Sequence, residues 1–158
     1  MPGRDRKPFL AAMRRFLVVT AMGHLVWEML QMPLYTLWTE GTSGEIAFAV
    51  VHCTGGDVLI ALASLTGALI LAGDARWPTD RFCEVAVLTL LFGFAYTLYS
   101  EWFNVSVRLS WAYAPSMPTL PLLGTGLAPV LQWIVIPSAA LHAAHGAIKH
   151  GSDFKPTS

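Results

Sequence analysis

Ionisable and amide side chains stand in stretches of this chain that are otherwise apolar: His24, Glu28 and Gln31, then His52 and Asp57, then Glu101 and Asn104, and lastly Gln132. At the centre of a membrane helix an ionisable group costs about 2.5–3.5 kcal/mol on insertion scales, so such groups turn toward the bundle interior and mark function. His24, Glu28, Gln31 and Tyr35 follow spacings of 4, 3 and 4, which is one helical face. Thr97, Ser100, Glu101, Asn104 and Arg108 form a second face. The stretch between is looser: His52 and Gly56 share one stripe, Cys53 and Asp57 the adjacent one, and Ser64 continues below.

Carboxyls and imidazoles gathered in an apolar pocket can hold a mobile proton, because burial disfavours the charged carboxylate while an imidazolium favours it. His24, Glu28, His52, Asp57 and Glu101 are therefore expected to run acid–base catalysis on a hydrophobic substrate, with Gln31, Asn104, Gln132 and Trp133 contacting that substrate. The same residue types admit two other readings. His24, Glu28, His52 and Glu101 are donors suited to a transition metal such as zinc, iron or manganese, and the two histidines alone could ligate haem. No Glu-x-x-His pair of the di-iron kind is present. Intramembrane acids and histidines are also the parts of a proton relay or small transporter, which a chain this short would form by oligomerising. The expected cofactor is thus none or a transition metal, and the expected partners are membrane lipid, a hydrophobic small molecule and possible further copies of the chain. Ten basic and ten acidic residues leave no net charge to attract nucleic acid.

The elements that must position these groups follow from composition. With 54% hydrophobic and 13% charged residues over 158 positions, the chain is too apolar for a water-soluble domain of its size. Four apolar stretches, 16–38, 46–72, 82–104 and 122–144, are each long enough for the roughly 20 residues that cross a bilayer. Backbone groups there must pair within the segment, so each is a helix. The joints at 39–45 and 73–80 are short, which makes the first three helices antiparallel neighbours. The fold class is all-α, a single integral membrane four-helix bundle.

Orientation comes from the basic residues. Arg4, Arg6, Lys7, Arg14, Arg15, Arg76, Arg81, Lys149 and Lys155 fall on one side and Arg108 alone on the other, so the positive-inside rule places both termini in the cytoplasm of a multi-pass plasma-membrane protein. Trp27, Trp38, Trp77, Trp102 and Trp111 include several at the expected interfaces. Arg14 and Arg15 ahead of an apolar run look like a twin-arginine start, but His24 and Glu28 interrupt the run and no cleavage site follows, so the first span is expected to be retained. Counting about 1.5 Å per residue from the helix ends puts Glu28 level with His52 and His24 level with Asp57, Glu101 a turn or two further out, and Gln132 near the middle.

The segment 106–121 contains Pro115, Pro118 and Pro121 and cannot be a regular helix. Its apolar side chains predict an ordered external loop folded over the helix ends, with Trp111 and Tyr113 packing down. Cys53 and Cys83 fall too far apart for a disulfide and are expected as free thiols. His142, His145 and His150 lie at or beyond the inner end of the last helix, as interfacial residues or a weak metal site.

Gly23, His24, Leu25, Val26, Trp27 and Glu28, followed by Leu34 and Tyr35, resemble the first-helix His-Leu-Val-x-Glu and Leu-Tyr pattern of the EXPERA family of emopamil-binding sterol isomerases. The run from Leu131 to Pro137 is similar to that family's tryptophan-rich, proline-containing last core helix. The resemblance covers about a quarter of the chain and implies a double-bond shift by proton addition and removal, carried over here at His24 and Glu28 alone. The acid on that family's second helix has no counterpart in the run from His52 to Asp57. As a whole, the chain resembles small four-helix bacterial membrane proteins, which implies no particular activity.

Overall fold

The computed structural model describes residues 6–74 and 76–152. Four long helices form a bundle: α1 (Arg6–Gln31), α3 (Ser43–Ala72), α4 (Phe82–Trp102) and α5 (Leu127–Ser152), with a one-turn helix α2 (Leu37–Glu40) between the first two. The segments Pro8–Leu34, Ser43–Ala72, Phe82–Val107 and Leu127–Gly146 are each long and apolar enough to cross a membrane. Helix α1 packs on α3 and α5, and α4 packs on the same two, which closes a ring of four.

The bundle is inverted relative to a water-soluble one. Val18, Met22, Val26 and Leu30 on α1 and Phe48, Val51, Leu59 and Ile70 on α3 point outward, while His24, Glu28, Gln31 and Gln132 are buried. That distribution suits a lipid exterior, where outward apolar groups carry no cost and inward polar groups can find partners.

Two apolar clusters cap the interior. One gathers Ala12, Phe16, Leu65, Ala68, Trp77, Val85, Leu141 and Ala144 at the end that holds Arg14, Arg15, Arg76 and Arg81. The other gathers Met32, Tyr35, Val50 and Met117 at the opposite end. The ionisable belt lies between them. Trp77 is a core plug rather than an interfacial anchor: it is 1% exposed and meets Phe9 edge-on at 5.9 Å. Trp38 and Trp102 are half exposed, as interface anchors are.

Helix ends follow local chemistry. Pro33 has no N–H to continue α1, so the α-helix stops at Gln31 and a 3-10 turn, Met32–Leu34, leads into extended Tyr35. Helix α3 starts from a capping box: the Glu45 N–H donates to Thr42 Oγ1 at 3.3 Å, and the Thr42 N–H donates to Glu45 Oε2 at 2.8 Å. Thr42→Ala is expected to cost about 1 kcal/mol, read as a lowered unfolding midpoint in detergent with unchanged helix content. A loss below a few tenths of a kcal/mol would mean that tertiary packing alone sets this end. In the loop between α3 and α4, the Arg76 backbone N–H donates to Asp74 and holds that exposed carboxyl below its ordinary range, and Arg76 also pairs with Asp80.

The 16–38 stretch is not one helix. It begins ten residues earlier as α1 and is broken at Pro33. Helix α5 begins at Leu127 rather than Leu122, because Pro121 and Gly124, at φ +65°, hold 120–124 in a turn that leaves Leu122 98% exposed. Helix α4 runs into a π-helical turn, Phe103–Val107. The following loop folds back as expected from its apolar content: the Thr36 N–H donates to Ala112 O and the Ala114 N–H to Leu34 O, so Tyr35 and Tyr113 pair as one antiparallel bridge. Both cysteines are free.

Candidate functional site

Helices α1, α3 and α5 bring His24, Glu28, Gln31, Asp57 and Gln132 into one network. His24, Glu28 and Gln31 share the buried face of α1. Asp57 enters from α3 and places Oδ2 3.1 Å from His24 Nδ1. Gln132 enters from α5 and is the hub: its Nε2 lies 2.8 Å from His24 Nδ1, 3.0 Å from Glu28 Oε1 and 3.0 Å from Asp57 Oδ2. Gln31 closes the set by donating to Glu28 Oε1 at 2.9 Å and to Gln132 Oε1 at 3.2 Å.

An amide nitrogen carries two hydrogens, yet Gln132 Nε2 faces three groups. The two amides supply four hydrogens for five close contacts, and the His24–Asp57 contact cannot be a hydrogen bond unless a proton sits on His24 Nδ1 or on Asp57. A proton on either group would make it one. If that proton rests on Nδ1, His24 Nε2 is a lone pair. Nε2 is buried without a partner among the described residues, as are Thr20 Oγ1 one turn away on α1 and Gln31 Oε1. The Trp133 ring leans on His24, with centroids 5.4 Å apart. His24 is fully buried, whereas the Asp57 side chain keeps 15% of its surface.

Glu101 belongs to a second, separate site. Its Oε2 accepts a hydrogen bond from the Tyr113 hydroxyl, which in turn accepts from the Gly126 N–H at 3.0 Å. Burial pushes the Tyr113 hydroxyl above the ordinary tyrosine range, and the neighbouring Glu101 carboxyl adds to the rise, so this hydroxyl stays a donor at neutral pH. Tyr35, whose ring is 5.6 Å from that of Tyr113, is raised too, first by burial and then by Glu101. This site fastens the 106–126 loop to the end of α4.

Two sequence-selected residues fall outside both sites. His52 is exposed on the outer face of α3, stacked on Phe48 at 5.3 Å. The reason is angular: His52 and Asp57 are five positions apart, about 140° around a helix, so directing Asp57 inward directs His52 outward. Asn104 donates to Ser100 O at 2.9 Å on its own helix. The metal set His24, Glu28, His52 and Glu101 is thereby dispersed over three places, and among the described residues no three His, Cys, Asp or Glu side chains converge to hold an ion. Trp133 packs against Gly93 and His24. Nothing in the sequence links Tyr113 and Gly126 to Glu101, because a proline-rich loop has no periodicity.

No family model matches the chain, and no curated protein or solved structure does so either.

Proposed function

We propose that the chain is a membrane enzyme that uses the His24–Asp57–Glu28–Gln132 network for acid–base chemistry on a hydrophobic molecule. The observation that supports this reading is the placement of His24: Nδ1 faces the Asp57 carboxyl at 3.1 Å, while Nε2 is buried and free of any partner among the described residues. An imidazole oriented through one nitrogen by a carboxylate offers the other as a base or, once protonated, as an acid. Glu28, one turn along α1, is the second exchangeable group, and the Gln132 amide ties the two carboxyls together.

Such a site fits a reaction that adds one proton to a substrate carbon and removes another. Double-bond migration, implied by the family resemblance, is of that kind: a C–H bond forms, a different C–H bond breaks, and the proton count of the network is restored without a redox partner. Asp57, the most exposed member of the network, is its point of access.

The test needs no prior substrate. Membranes containing the protein are incubated in deuterated water with a total lipid extract, and lipids are surveyed by mass for species that gain deuterium. Wild type is expected to label a discrete species at least tenfold faster than His24→Gln or Asp57→Asn. Labelling that is absent, or equal in the variants, sinks the reading.

A further inference from the structure

We propose that a groove between α1 and α5 at the basic end binds the phosphate of an anionic phospholipid, with an acyl chain lying along its apolar wall. The groove measures about 440 Å³; Arg14, Arg15 and His142 supply its polar side, and Val18, Val19 and Ala143 its wall. It is distinct from the ionisable belt, since Arg15 precedes His24 by nine residues, about 13 Å along α1.

The two arginines create the demand for an anion. Both lie near the start of the first membrane-length segment, Pro8–Leu34, where guanidinium groups meet the lipid headgroups. The ion pairs found among the described residues join His24 to Asp57 and Arg76 to Asp74 and Asp80; none reaches Arg14 or Arg15. Arg15 does not simply turn away from the protein: its Nη1 is 3.8 Å from where a Cβ on Gly146 would stand, so the guanidinium lies against α5.

Phosphate suits this pair because a guanidinium presents planar, paired donors to its oxygens. Basic pockets between membrane helices are characteristic sites for acidic headgroups. Free phosphate would satisfy the arginines and leave the valine wall unused. A phospholipid uses both, and Val18, 56% exposed, opens that wall to the bilayer. A second groove of about 430 Å³, between α3 and α4 and lined by Leu59, Phe92 and Tyr96 among others, carries no charged residue and gives an internal contrast: hydrocarbon fits there, a headgroup does not.

Native mass spectrometry of the full chain in detergent tests this with three probes: phosphatidylglycerol, phosphatidylcholine and glycerol 3-phosphate. Wild type is expected to retain one phosphatidylglycerol at least tenfold over phosphatidylcholine, without displacement by glycerol 3-phosphate. R14Q/R15Q is expected to lose that preference, and R108Q at the opposite end to keep it. Should the double variant fail to fold, Ala143→Leu, which keeps both arginines and fills the wall, is expected to lower retention at least threefold. Equal retention of the two lipids, or unchanged retention in the folded variant tested, overturns the proposal. Displacement by glycerol 3-phosphate overturns the lipid assignment in favour of a soluble phosphate.

Discussion

Gln132→Leu is expected to lower the unfolding free energy by about 3 kcal/mol, because one truncation strips donors from a buried and a half-buried carboxyl at once. Leucine fits the space and suits an apolar bundle, so lost volume is not the cause. The cost lies in what is lost: Glu28 is left with the Gln31 amide as its amide donor, and Asp57 loses its amide donor while its His24 contact stays. A cycle with Glu28→Leu separates this from general damage. Removing both partners leaves fewer orphaned groups than the two single changes added together, so the double variant is expected to be at least 1 kcal/mol more stable than additivity allows. Additive losses, measured by denaturant unfolding in detergent micelles, would show that Gln132 and Glu28 act independently and that the hub geometry carries no energy.

The same network shows what a sequence can disclose. Spacings of 4, 3 and 4 place His24, Glu28 and Gln31 on one face, and the structure buries all three, since a helix fixes the angle between its own residues. On α3 the same rule separates His52 from Asp57, but nothing in the sequence selects which of the two turns inward. That choice is made by neighbours: Asp57 finds His24 and Gln132, whereas His52 finds Phe48. The four long helices were legible from apolar length alone, because lipid demands internal backbone pairing whatever the tertiary contacts. Depth was a coarser guide. It sets Glu101 a turn or two beyond Glu28 but cannot reveal that Tyr113, from a loop twelve residues on, claims it.

The contact between His24 and Asp57 and the anion proposed at Arg14 and Arg15 express one physical rule at two depths. A charged or hydrogen-bonding group within a membrane helix must be satisfied by something, and its local geometry narrows what that is. Mid-bundle, packed side chains from three helices satisfy most of these groups and leave His24 Nε2, Thr20 Oγ1 and Gln31 Oε1 without a partner among the described residues. At the basic end no carboxylate among the described residues reaches Arg14 or Arg15, and the bilayer itself is the nearest source of anions.

Gly93→Ala is expected to destabilise the bundle by about 2–3 kcal/mol and to disturb His24 at a distance. A Cβ on Gly93 would run into the Trp133 ring, and a rigid indole cannot bend away as an aliphatic tip can. Trp133 is 2% exposed and leans on His24, so a ring displaced from α4 alters the packing that holds the imidazole toward Asp57. Gly67→Ala is the control. Its Cβ would meet Phe92 at 3.6 Å, an ordinary contact, and alanine favours helix, so that variant is expected to match or exceed wild-type stability. Tryptophan fluorescence should shift in Gly93→Ala and not in Gly67→Ala. Trp133→Leu leaves a cavity of its own, yet combined with Gly93→Ala it removes the clash, so the pair should cost at least 1 kcal/mol less than the sum of the two single changes. If Gly93→Ala unfolds at the wild-type midpoint with unshifted fluorescence, the close contact between α4 and α5 at this level is not what positions Trp133 against the network.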